Sequence, residues 1–266
     1  MTLYKILAQN FDLIDENNTQ GITGKITCEH VFRANASGVL IGHPEINDSL
    51  ESINMKIKKI ISLQKIHSNA LPYNVIMLGE SLEEFSNNTL LEIAQMIEDQ
   101  CSKVFKDIPD DFIKRTLLIY EPKWAGDSLE SNGQLPPSIK LITRVTNKMR
   151  DFLNERLGPT GLKVSLMYGE ITSPERAVEI LSNENLQGLM LGSVCSTVEQ
   201  ILEIVKALQY AFDKRKIILV CNFKSLDLTE KYQDYLSALA IVPDNFSIYF
   251  APPVTDIRYL IDLVKK

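Results

Sequence analysis

Eight short apolar runs alternate with longer amphipathic stretches along this chain, and that alternation limits the folds open to it. The runs are Tyr4–Gln9, Gly38–Gly42, Asn74–Leu78, Thr116–Tyr120, Lys163–Tyr168, Gly188–Leu191, Ile217–Cys221 and Ser247–Ala251. They are near-continuous in apolar character, as strands covered on both faces of a parallel sheet are. Between them, Asp48–Ile66, Leu82–Phe105, Pro137–Leu157, Leu228–Leu239 and Val254–Val264 carry helical periodicity, with a weaker pattern at Thr19–Arg33. Ile201, Leu202, Val205 and Leu208 mark one face of a further helix from Val198. Ser173 followed by Pro174 reads as a cap and a first-turn proline.

Repeated strand–helix units leave two architectures, an open doubly wound sheet or a closed eight-stranded α/β barrel. Neither GxGxxG nor GxxxxGK[ST] is present, and the strand count favours the closed (βα)8 barrel. The chain has 266 residues with no low-complexity stretch or linker dividing it, so 1–266 is read as one domain. Barrels of ~250 residues are routinely single.

The composition narrows the function. A net charge of -6 argues against nucleic acid or an acidic membrane surface as partner. The compact basic triplet Lys214–Lys216 reads as a solvated rim. No apolar run approaches the ~18 residues of a membrane span, and the N-terminal MTLYKILAQNF is too quickly polar for a signal peptide. The four cysteines lie far apart and the three histidines lack ligand spacing. That pattern points to no metal, no disulfide and a reduced, cytoplasmic setting. Nothing in it calls for a cofactor.

In such a barrel, chemistry gathers at the carboxyl ends of the strands. The second strand delivers His43 and Glu45, the fourth Glu121 and Trp124, and the fifth Tyr168, Gly169 and Glu170. The sixth delivers Gly192 and Ser193, and the seventh Asn222 and Lys224. A carboxylate, an imidazole, an ammonium and an amide on one rim suit proton abstraction beside a carbonyl. The carboxylate takes a carbon-bound proton, while the imidazole and ammonium stabilise the oxygen that becomes negative.

The residues around these groups resemble triosephosphate isomerase. They are YEPKWA (Tyr120–Ala125), LIGHPE (Leu40–Glu45), CNFKS (Cys221–Ser225), Gln9-Asn10, LGE (Leu78–Glu80), Tyr168-Gly169 and the stretch Ser173–Ser193. The motifs occur in rotated order. Residues 1 to about 210 look like the family's third strand through its eighth helix. Residues from about 216 onward look like its first two units, with APP at Ala251–Pro253. The resemblance implies a circularly permuted TIM barrel, joined at Gln209–Arg215. A closed barrel tolerates such rotation because every strand keeps both neighbours.

By matching motif, the resemblance implies that Glu121 is the base, His43 the electrophile, and Lys224 and Asn222 the groups holding the substrate oxygen. Gly169, Ile171, Gly192 and Ser193 would bind phosphate through backbone N–H groups, with Glu45, Tyr168 and Trp124 in support. The substrate implied is a small phosphorylated sugar, and the assembly a homodimer through the Phe11–Thr23 loop.

Departures fall at the phosphate turn and the lid. Ile171 lacks the hydroxyl that the family has there, and Glu170 brings a carboxylate. Facing a phosphate at ~5 Å and an effective dielectric of ~20, it would cost about 3 kcal/mol per unit charge. The lid, Ala125–Pro137, is longer and more acidic than the family's. Two other readings therefore stand beside a triose-phosphate isomerase: an isomerase of a four-carbon sugar phosphate, and a catalytically silent barrel binding a metabolite or partner.

Overall fold

The computed structural model describes residues 4–14, 22–125, 136–171 and 173–265. Eight parallel strands close on themselves: β1 (Tyr4–Ala8), β2 (Gly38–Ile41), β3 (Tyr73–Leu78), β4 (Thr116–Tyr120), β5 (Ser165–Tyr168), β6 (Gly188–Leu191), β7 (Ile217–Asn222) and β8 (Phe246–Ala251). The seam pairs Tyr4 with Ile248 and Ile6 with Phe250. The eight strands expected from the sequence are all present, and the open sheet is excluded.

Strand alternation divides the apolar side chains between two layers. Leu7, Leu40, Val75, Met77, Ile119 and Met167 belong to the cluster that fills the barrel, while their neighbours Ile76, Leu78 and Leu118 pack under the helices. Each fully buried aliphatic side chain contributes about 1.5–3 kcal/mol. This two-sided burial is why the strands read as continuous apolar runs.

The helices are α1 (Cys28–Arg33), α2 (Leu50–Ile66), α3 (Leu82–Asn87), α4 (Leu90–Val104), α5 (Asp110–Ile113), α6 (Ile139–Leu157), α7 (Pro174–Leu181), α8 (Val198–Ala211), α9 (Tyr232–Leu239) and α10 (Ile257–Val264). Ser173 caps α7, accepting from the Arg176 N–H, with Pro174 in the first turn.

Several expected boundaries move. The helix expected over Leu82–Phe105 is two, because Thr89 and Glu92 form a second capping box that ends the first run at Asn87. Leu228–Leu239 becomes helical only from Tyr232, and Val254–Asp256 is a 3-10 turn before α10. Lys163 closes another 3-10 turn, Gly158–Lys163, so β5 begins at Ser165. Of Thr19–Arg33, the described helix is Cys28–Arg33.

Within the basic triplet, Arg215 is half-buried rather than part of a solvated rim. Its guanidinium donates to the carbonyls of Leu181 and Leu186 and lies 5.2 Å from the Phe212 ring. Asn245 Nδ2 donates to the Arg215 carbonyl at 2.8 Å, which fixes the entry to β7. Among the described residues no helix is long and apolar enough to cross a membrane, and no group of three His, Cys, Asp or Glu could hold a metal.

Candidate active site

Gly42, at φ 85, turns the chain out of β2 and places His43 at the head of the 3-10 turn Pro44–Ile46. The Glu45 backbone N–H donates to His43 Nδ1 at 3.2 Å. With Nδ1 accepting, a neutral imidazole carries its proton on Nε2. Nε2 faces Glu121 Oε1 across 3.8 Å.

Glu121 directly follows β4 and is 2% exposed. Its Oε2 is buried with no hydrogen-bond partner. Burial pushes the carboxyl well above its ordinary range; the Glu170 charge pushes it further, Lys224 opposes, and Glu45 adds to the rise. Gly169 lies against this carboxylate, so close that a side chain there would overlap it.

Lys224 stands two residues beyond Asn222, the last residue of β7. Its backbone is left-handed, φ 50, a conformation that costs a residue with a side chain. Two hydrogen bonds hold it: its N–H donates to Asn222 Oδ1 at 3.1 Å, and its carbonyl accepts from Gln9 Nε2 at 2.6 Å. The ammonium lies 2.8 Å from Glu45 Oε1. His43, Glu45, Glu121, Asn222 and Lys224 thus meet at one end of the barrel. This is the juxtaposition that a carbon acid and its enolate oxygen require.

The other expected residues fall nearby. Gly192 and the exposed Ser193 lead into the 3-10 turn Ser193–Cys195 after β6. The Ile171 side chain is buried in the core beneath the turn after β5. Tyr168 sits edge-on to Tyr120 at 5.9 Å. Most of the lid, residues 126–135, lies outside the described residues, as do Thr172 and residues 15–21 of the Phe11–Thr23 loop.

Trp124, just before the lid, stacks on Phe85 at 4.1 Å and donates its indole N–H to Glu80 Oε1 at 2.8 Å. The Tyr120 hydroxyl donates to both Glu80 oxygens, at 3.2 and 3.1 Å. Glu80 is fully buried, and burial raises its pKa against the pull of those hydrogen bonds. In the sequence Glu80 stands only within LGE, with no local mark of this role.

A second buried network joins two loops of the barrel. Lys56 Nζ lies 2.6 Å from Asp48 Oδ2 and donates to Asn10 Oδ1 at 2.8 Å, with side chains 4% and 9% exposed for Lys56 and Asp48. It ties the turn after β1 to the loop that carries His43. Its mark in the sequence is a lysine on the same helical face as Ile53, Ile57 and Ile60.

Comparison with known proteins agrees with this architecture. The family model described as triosephosphate isomerase matches residues 2–208. Triosephosphate isomerase of Bartonella bacilliformis is 30% identical over 190 residues, covering 71% of this chain and 69% of that protein. That of Malacoplasma penetrans is 25% identical over 207 residues, covering 76% of each. The crystal structure of triosephosphate isomerase from Bartonella henselae has a TM-score of 0.56 at 22% identity, covering 76% of this chain and 75% of that one, a likeness of fold.

Proposed function

Because this chain belongs to the triosephosphate isomerase family, we propose that it interconverts dihydroxyacetone phosphate and glyceraldehyde 3-phosphate through an enediolate. The observation that carries this reading is the buried Glu121 carboxylate, whose Oε2 has no hydrogen-bond partner and whose Oε1 faces His43 Nε2. A carboxylate deprived of water and hydrogen bonds is a strong base, held ready for a proton that carbon gives up reluctantly.

In this reading Glu121 removes a proton from the carbon next to the carbonyl and returns it to the neighbouring carbon. The Nε2–H of His43 donates to whichever substrate oxygen is gaining charge. Lys224, set by Asn222, stabilises the enediolate and attracts the phosphate. The backbone N–H groups of Gly169, Ile171, Gly192 and Ser193 bind that phosphate. No metal or cofactor enters.

The rotated motif order supports a circular permutation within one barrel domain: the family match ends at 208, and β7 and β8, with CNFKS and APP, follow it. A homodimer has its own support. Ile22, Ile46, Leu226 and Val254 are 38–44% exposed on loops after β1, β2, β7 and β8, four neighbouring strands of the ring. Four free, buried cysteines fit a cytoplasmic protein.

A coupled assay with dihydroxyacetone phosphate tests the activity, comparing the native protein with Glu121→Gln. The variant should lose about 10²–10⁴ in kcat. Equal turnover would remove Glu121 as the base. Absence of turnover on any triose or tetrose phosphate would leave the barrel as a binding protein.

A further inference from the structure

α9 packs its two tyrosines against the residue between Asn222 and Lys224. Tyr232 and Tyr235 stand three apart in the sequence, on one face of that helix, and both are buried. Phe223, fully buried, meets the Tyr235 ring edge-on at 5.6 Å and the Tyr232 ring at 6.0 Å, and it stacks on Phe250 of β8 at 5.5 Å. This packing fixes the ring of Tyr235 relative to the turn that carries Lys224.

The Tyr235 hydroxyl reaches from this cluster to another loop. It donates to the Cys195 carbonyl at 2.8 Å, a buried bond between residues 40 apart in the sequence. Burial raises the pKa of the hydroxyl, so it keeps its proton and remains a donor. Cys195 closes the 3-10 turn Ser193–Cys195, directly after Gly192. The Cys195 thiol donates to the Leu191 carbonyl at 3.2 Å, and its N–H to the Gly192 carbonyl at 2.9 Å. A buried carbonyl that loses its donor costs more than the bond contributes, so the place of the turn is tied to the hydroxyl.

Resting on the reading of Gly192 and Ser193 as phosphate donors, we propose that Tyr235 is a positioning residue for the phosphate grip: braced on Phe223, its hydroxyl holds the Ser193–Cys195 turn at a fixed place relative to Lys224. It touches no substrate. Phosphate is held alike in the ground state and the transition state, so a misplaced turn weakens binding and spares the chemical step. Tyr232 has a different partner. Its hydroxyl donates to Asp256 Oδ2 at 2.9 Å, in the turn after β8, and it serves as the control.

Tyr235→Phe keeps the ring and removes the hydroxyl. Calorimetric titration with inorganic phosphate should show about fivefold weaker binding, the worth of one hydrogen bond. In the isomerase assay KM should rise by a similar factor, with kcat within about twofold of native. Tyr232→Phe, the same change in the same helix, should leave phosphate binding and KM within about twofold. Unchanged phosphate binding in Tyr235→Phe would overturn the proposal. So would an equal loss in Tyr232→Phe, which would mean that α9 had merely loosened, or a fall in kcat at unchanged KM.

The native protein supplies a second readout should Tyr235→Phe fold poorly. The Tyr235 hydroxyl proton, buried and held by Cys195, should give a slowly exchanging NMR signal that moves on titration with phosphate. A signal indifferent to bound phosphate would overturn the proposal, as would phosphate that does not bind. Phosphate binding that weakens in Tyr235→Phe, without turnover in any protein, would instead reject the isomerase reading alone and leave the positioning role in place.

Discussion

Gly169 is packed directly on Glu121: a β-carbon placed on it would stand 2.5 Å from Oε2 and 2.8 Å from Cδ. Glu121 is buried and has nowhere to retreat. Gly169→Ala should therefore displace the base and lower kcat by about 10²-fold, the cost of roughly an ångström of misplacement. Steady-state kinetics check this, and an unchanged kcat would show that the carboxylate yields without loss.

Glu121 also links activity to stability. Its carboxyl is raised well above the ordinary 4.5, so the folded protein keeps a proton that the unfolded chain has already released. Above about pH 4.5, stability contributed by this group is lost as pH rises through the folded value. Glu121→Gln, which mimics the protonated form, should be more stable than the native protein at pH 8, by about 1 kcal/mol as typical stabilising changes are. The gap should close as pH falls towards 4.5. Thermal melts across that range decide; a gap independent of pH would contradict the assignment.

The Lys56–Asp48 pair offers a stability test away from the base. Lys56→Met leaves Asp48 buried without its cation and should cost about 3–5 kcal/mol. Combining it with Asp48→Asn should recover at least half, because no lone charge remains. Urea denaturation of the four proteins in the cycle measures both values. Additive losses would mean that the two side chains act independently.

Rotating the chain tests the permutation. β1 begins at Tyr4, and α10, which packs on β1, ends at Val264. A protein that starts at Lys216 and joins Lys265 to Tyr4 through a short linker should fold with kcat within about tenfold of the native value, since every strand keeps its neighbours. Circular dichroism and the coupled assay report on it, and an unfolded product would show that the present join at Arg215 is essential.

Much of this molecule is legible in its sequence because strand burial on two faces leaves a simple mark. β4 and β6 are found with their observed boundaries, Thr116–Tyr120 and Gly188–Leu191. His43, Glu121, Asn222 and Lys224 are legible for a related reason, since each lies within two residues of the carboxyl end of a strand. Packing across the sequence is harder to read. The closeness of Gly169 to Glu121 depends on where two strands come to lie, and glycine leaves no local trace of what it accommodates. The break at Asn88 was hidden because apolar spacing continues through it, although Thr89 and Glu92 spell a capping box. Glu80 and Lys56 are not legible in the sequence because a charged residue is ordinarily solvated, and only the tertiary structure supplies the partners that make burial affordable.

The closure between β1 and β8 is fastened at the pocket by Gln9, whose amide donates to the carbonyls of both Lys224 and Ala251. During synthesis on the ribosome, Gln9 emerges long before either acceptor. The nascent chain must hold the open edge of β1 without a strand to match until the far end of the barrel has been translated. Assembly of the pocket is thereby deferred to the last step, and truncated products should be inert, sticky and good clients for chaperones.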